Sequence, residues 1–154
     1  MGNQSIVNGY ILVPEFSYID SNMKAISSHN FDDQYPFTNI FWRGPRDQYF
    51  MPVIAIAGSY REIEKDWNEW LWKFSQLLSS LEAIRAKIYL DCILGDWKWV
   101  LKPESLIRKK GSRGESFIGQ TWGISSGPED DFSLRNPWIG KWPKTVRRWS
   151  QESP

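Results

Sequence analysis

The longest regular pattern in the chain lies between Ser59 and Leu81. Ile63, Trp67, Trp70, Leu71, Phe74, Leu77, Leu78 and Leu81 recur at three- and four-residue steps. Lys65, Asn68, Glu69, Lys73, Gln76 and Ser79 fall between them. On an α-helix this is one apolar stripe with a polar back. Ser59 precedes Glu62 at capping-box spacing, in which the serine oxygen accepts a first-turn N–H and the glutamate reaches back to the cap. Glu62, Glu64 and Asp66 add negative charge at the positive end of the helix dipole. The pattern predicts one helix of about 23 residues, roughly 34 Å long, enough to span a small sheet. Trp72 departs from it, pointing nearly opposite the stripe between Asn68 and Gln76. It is either covered by a loop or the C-terminal tail, or it is an exposed anchor for a partner.

Strand patterns flank this helix. Val53 to Ala57 is a short continuous apolar run between Pro52 and Gly58, which reads as a strand covered on both faces. From Lys87 to Leu94 the residues alternate, with Ile88, Leu90 and Cys92 on one side and Tyr89, Asp91 and Ile93 on the other. Gly95-Asp96 has the composition of a two-residue hairpin loop, and Trp97 to Leu101 follows as the partner strand with Trp97 and Trp99 on one face. Upstream, Ile6 to Val13 reads as a strand ended by Pro14, and Ser17 to Asn30 holds a short helix around residues 21–26. Asn39 to Arg43 reads as a strand that forms a hairpin with Tyr49 to Ala57 through the Gly44-Pro45-Arg46-Asp47 turn. Downstream, Pro103 opens a short helix running to Lys110, and Ser116 to Ser125 is a last strand offering Phe117, Ile118, Trp122 and Ile124 for burial.

These elements predict a single α+β domain: a mostly antiparallel sheet of four to six strands with one long helix packed across it. Strand, helix and strand at its centre make half of a ferredoxin-like arrangement. Residues 1–125 form the core domain. Residues 126–154 form a polar, acidic linker and then a Trp-rich basic tail, with Trp138, Trp142 and Trp149 among Lys141, Lys144, Arg147 and Arg148. So many aromatics argue that the tail packs back on the domain.

Composition narrows the function. A chain of 154 residues with one cysteine and one histidine builds neither a disulfide framework nor an ordinary zinc site. No apolar leader or membrane-length run is present, so a cytoplasmic protein is expected. Cys92, in mid-strand, reads as a small apolar group. His29, in a Ser-His-Asn segment, reads as a loop residue, with a general base as the enzymatic alternative. Gly58-Ser59 resembles a phosphate cradle only weakly, and Asp32-Asp33 and Glu129-Asp130-Asp131 read as solubilising clusters rather than an acid/base pair. No cofactor is expected. The net charge is +1, yet residues 102–154 carry ten Lys/Arg against six Asp/Glu. Arg108, Lys109, Lys110 and Arg113 therefore offer a nucleic-acid contact, with the tail tryptophans as stacking surfaces. Ten tryptophans exceed what the periodic core positions absorb; about six are assigned to the core by periodicity.

The segment Phe41-Trp42-Arg43-Gly44-Pro45-Arg46, followed by Trp67 to Ile84, resembles small bacterial toxin-immunity proteins, several of which carry a Trp-Gly-x-Arg-like element ahead of a long helix in one α+β domain. Here a full strand separates the arginine turn from the helix. The resemblance implies a non-catalytic protein that binds and neutralises a toxin or other effector enzyme; a phage-encoded inhibitor of a host defence system has the same signature. The expected partner contacts are Trp72, Arg43, Arg46, Trp138 and Trp142. A single-stranded nucleic-acid binder using the basic C-terminal third is the alternative.

Overall fold

The computed structural model describes residues 4–29, 37, 39–44, 51–93, 95–108 and 117–126. Strand β1 (Gln4–Leu12) is followed by helix α1 (Ser17–Ser28), β2 (Phe41–Arg43), β3 (Val53–Arg61) and a 3-10 turn (Ile63–Asp66). Helix α2 (Trp67–Leu78), β4 (Arg85–Cys92), β5 (Gly95–Pro103), α3 (Glu104–Arg108) and β6 (Trp122–Ser126) complete the order. The strands form one six-stranded sheet in the order β2-β3-β1-β4-β5-β6, and every neighbouring pair is antiparallel. The expected α+β class is therefore the observed one.

Alternation explains the core. In β1, Ser5, Val7 and Ile11 point to one face and are buried; in β3, Ile54 and Ile56 do the same. Ala86, Ile88 and Leu90 of β4 and Trp99 and Leu101 of β5 continue that layer. Ile19 and Ile26 of α1 and Trp67, Trp70, Leu71, Phe74 and Leu77 of α2 join the same cluster, so both helices cover one face. Each large side chain buried there contributes about 1.5–3 kcal/mol. Trp67 and Trp70 stack at 4.8 Å, Trp70 stacks on Phe74 at 5.3 Å, and Trp67 lies 5.1 Å from Trp99. Because β3 and β4 both pair with β1, they run parallel to each other, and α2 makes the crossover above the strand between them.

Polar groups tie the helix layer down. Asn22 of α1 donates to the Glu82 carbonyl at 2.8 Å and accepts from the Glu82 N–H at 2.9 Å. The Glu82 carboxylate in turn accepts the Phe117 N–H at 3.1 Å, so this buried loop holds three segments in place. Ser5 Oγ donates to buried Glu64, joining β1 to the 3-10 turn.

Several local expectations need correction. Ser59 caps no helix: it lies in β3 opposite Ile6. The strand continues because Gly58 and Tyr60 turn inward while Ser59 and Arg61 stay outward. Glu62, with φ of 53°, breaks the strand, and the helical segment is a 3-10 turn plus a twelve-residue α-helix rather than one unit of about 23 residues. Val53 to Ala57 is covered on one face only, since Ala55 and Ala57 are exposed. Asp96 pairs with Asp91 and Gly95 with Cys92, so both residues belong to the ladder rather than to the loop. Pro103 closes β5 instead of opening the helix. The last strand starts at Trp122, because residues 117–120 are spent on a turn, and Ile118 is 58% exposed. The short helix expected within Ser17 to Asn30 is present, as Ser17–Ser28.

Candidate interaction surface

The face of the sheet opposite the helices is where the outward half of each alternation meets. Pairing sets three outward rows across the strands. One runs Trp42, Ala55, Tyr10, Lys87 and ends at Val100, which is buried; the next Ala57, Asn8, Tyr89, Lys98; the third Ser59, Ile6, Asp91, Asp96. Behind the first row Val53, Leu12 and Arg85 line up in the same way. Trp42 is 56% exposed, Ile6 42% and Tyr89 36%. Ala55, Ala57 and Asn8 keep the floor between them low. An open groove of about 440 Å³ lies here, lined by Asn8, Tyr89, Asp91, Asp96, Trp97 and Lys98.

The charges on this face are ordered along β4 and β5. At the Cys92–Gly95 end of the ladder, Asp91 opposes Asp96. A hydrogen bond with Asp96, and then the repulsion of its charge, hold the Asp91 carboxyl above the usual range. Moving along the strands, Lys98 lies opposite Tyr89 and Lys87 follows, with Arg85 at the start of β4 and Lys102 near the end of β5. Arg85 Nη2 donates to the Tyr10 hydroxyl at 3.4 Å. Its Nε is buried and has no acceptor among the described residues.

The sequence-predicted contacts are not brought together here. Trp72 is half-buried and packs against the core cluster. Arg43 sits on the helix side of β2, where it forms an ion pair with Asp20 of α1. Arg108 ends α3. Arg46, Trp138, Trp142, Lys109, Lys110 and Arg113 lie outside the described residues. His29 follows α1, and partial burial lowers its pKa. Cys92 is buried in β4. Among the described residues no group of three His, Cys, Asp or Glu is placed to hold a metal ion, and no helix is long and apolar enough to cross a membrane.

Tyr10, Trp42, Lys87, Tyr89 and Lys98 escaped selection as candidate site residues. The signal was present: Phe41, Ile88, Leu90 and Trp99 mark the inward positions, so their neighbours must point out. Reading β3 as covered on both faces concealed it. The comparisons with known proteins are empty: no family model, curated protein or solved structure matches the chain.

Proposed function

We propose that this chain is a non-catalytic, protein-binding inhibitor of the immunity type, which neutralises a toxin or other effector enzyme by binding it through the open sheet face. The observation that carries the reading is the juxtaposition of exposed Trp42, Tyr89 and Ile6 with lysines and aspartates on one face of the sheet. Aromatic anchors ringed by polar groups are the composition of interface hot spots. A phage-encoded inhibitor of a host defence enzyme would use the same surface. The test is co-purification of the full chain with an enzyme in a one-to-one complex that abolishes that enzyme's activity. Trp42→Ala combined with Tyr89→Ala is expected to weaken the complex at least a hundredfold, in line with the roughly 2 kcal/mol or more that each hot-spot residue supplies. Unchanged inhibition by this variant counts against the open face; absence of any inhibited enzyme counts against the class.

A second reading, single-stranded nucleic-acid binding, draws support from Tyr10 and Tyr89 standing beside Lys87 and Lys98 on this face, since stacking and cations together hold single strands. Affinity for an oligo-dT strand that falls steeply with salt is its signature.

A further inference from the structure

The charge order along β4 and β5 says what kind of surface fits there. The Asp91–Asp96 end is acidic, and the end that holds Arg85 and Lys102, with Lys87 and Lys98 before it, is basic. Arg85 lies six residue steps along β4 from Asp91, about 20 Å at 3.3 Å per step. Resting on the protein-binding reading above, we infer that the occupant of this stripe is a dipolar protein segment about 20 Å long, with acidic side chains over Lys87, Lys98 and Arg85 and a cationic side chain over Asp91 and Asp96.

Three observations select this occupant. A phosphate backbone carries one sign throughout, and a strand lying along the stripe brings phosphates against the two aspartates, whereas a protein segment can reverse its charge along its length. The Arg85 guanidinium, whose Nη2 reaches the Tyr10 hydroxyl at a long 3.4 Å, adds a cation at this end, and guanidinium–carboxylate pairing is among the stronger charge-assisted contacts. The opposed carboxylates of Asp91 and Asp96 repel each other; like charges placed directly across a strand pair are destabilising, and a cation between them reverses that sign. Exposed Tyr89 lines the same groove as the two aspartates, and an aromatic ring beside a bound cation adds to its attraction. The segment's direction on the sheet is thereby fixed, because turning it end for end sets acid on acid and base on base.

The experiment uses the isotope-labelled full chain and follows backbone amides by NMR during titration. The probes are a peptide with four glutamates at one end and two arginines at the other, an isosteric peptide with glutamine in place of each glutamate, and a twelve-nucleotide oligo-dT. The dipolar peptide is expected to shift the amides of Lys87, Tyr89, Asp91 and Lys98 and to bind at least tenfold more tightly than the glutamine peptide. Lys87→Glu with Lys98→Glu, whose folding is checked by its thermal transition, is expected to lose that preference. Asp91→Lys with Asp96→Lys is expected to favour an all-glutamate peptide over the dipolar one. The inference is overturned if oligo-dT binds more tightly than the dipolar peptide, or if the Lys87/Lys98 variant binds it unchanged. It is equally overturned if the peptide binds only after Glu129→Gln, Asp130→Gln and Asp131→Gln, which would make the chain's own acidic run the occupant. An enzyme still inhibited by the Lys87/Lys98 variant leaves the inhibitor reading standing and removes this one.

Discussion

Asp91 and Asp96 show how a single residue pair trades stability for surface chemistry. Their carboxylates face each other across the β4–β5 ladder, and the Asp91 pKa is raised by the hydrogen bond and charge of Asp96. A raised folded-state pKa means that the folded chain holds this proton more tightly than the unfolded chain. The resulting stabilisation is present below the unfolded aspartate value, near 4, and is lost as pH rises through the higher folded value. Asp96→Asn removes the repulsion. Its melting temperature is therefore expected to exceed that of the wild type at pH 7, with the gap closing as pH falls below about 4. Added salt narrows the gap at pH 7, because exposed charges are screened. Calorimetry across this range checks it; a gap that widens toward acid contradicts the sign.

At the scale of elements, α2 separates two roles for the same residue type. Trp70 is fully buried between Phe37, Trp67 and Phe74, while Trp72 is half-buried at the rim of the core. Trp70→Ala leaves a large cavity and is expected to cost about 3–5 kcal/mol; Trp72→Ala is expected to cost about 1–2 kcal/mol. Urea unfolding measures both, and equal losses would contradict the placement. The stripe that buries Trp70 was legible in the sequence because helical periodicity is local. The start of the helix was not. Ser59 and Glu62 satisfy the capping spacing, but Ser59 is held in β3 by pairing with Ile6, 53 residues upstream, and no local signal reports that contact. The open face was hidden for a related reason. Ala55 and Ala57 are apolar but small, so β3 reads as buried on both sides, although its outward row is exposed. Gly95-Asp96 likewise has loop composition, yet the ladder carries both residues into β5.

For the molecule as a whole, β1 is the strand on which the sheet depends. It is the first element in the chain but lies third across the sheet, pairing with β3 on one side and β4 on the other. Beyond the ladder, the Ile84 N–H donates to Leu12 O at 2.8 Å, the Val13 N–H donates to Pro52 O at 2.9 Å, and Ser5 anchors Glu64. Without β1, two strands are left with unpaired inner edges, and α2 crosses over a gap where Val7 and Ile11 had filled the core. Unpaired buried backbone groups cost about as much as lost hydrogen bonds, and the net stability of a domain is only about 5–15 kcal/mol. A chain from which residues 1–12 are deleted is therefore expected to show no cooperative thermal transition and no near-ultraviolet dichroism from its stacked indoles. A peptide of residues 1–15 added in excess is expected to restore both, since the missing strand enters between two edges that already present its pairing partners. Tryptophan fluorescence, which shifts to shorter wavelength when Trp67, Trp70 and Trp99 are buried, follows the recovery. A truncated chain that melts with the same sigmoidal transition would mean that β3 and β4 close directly on each other.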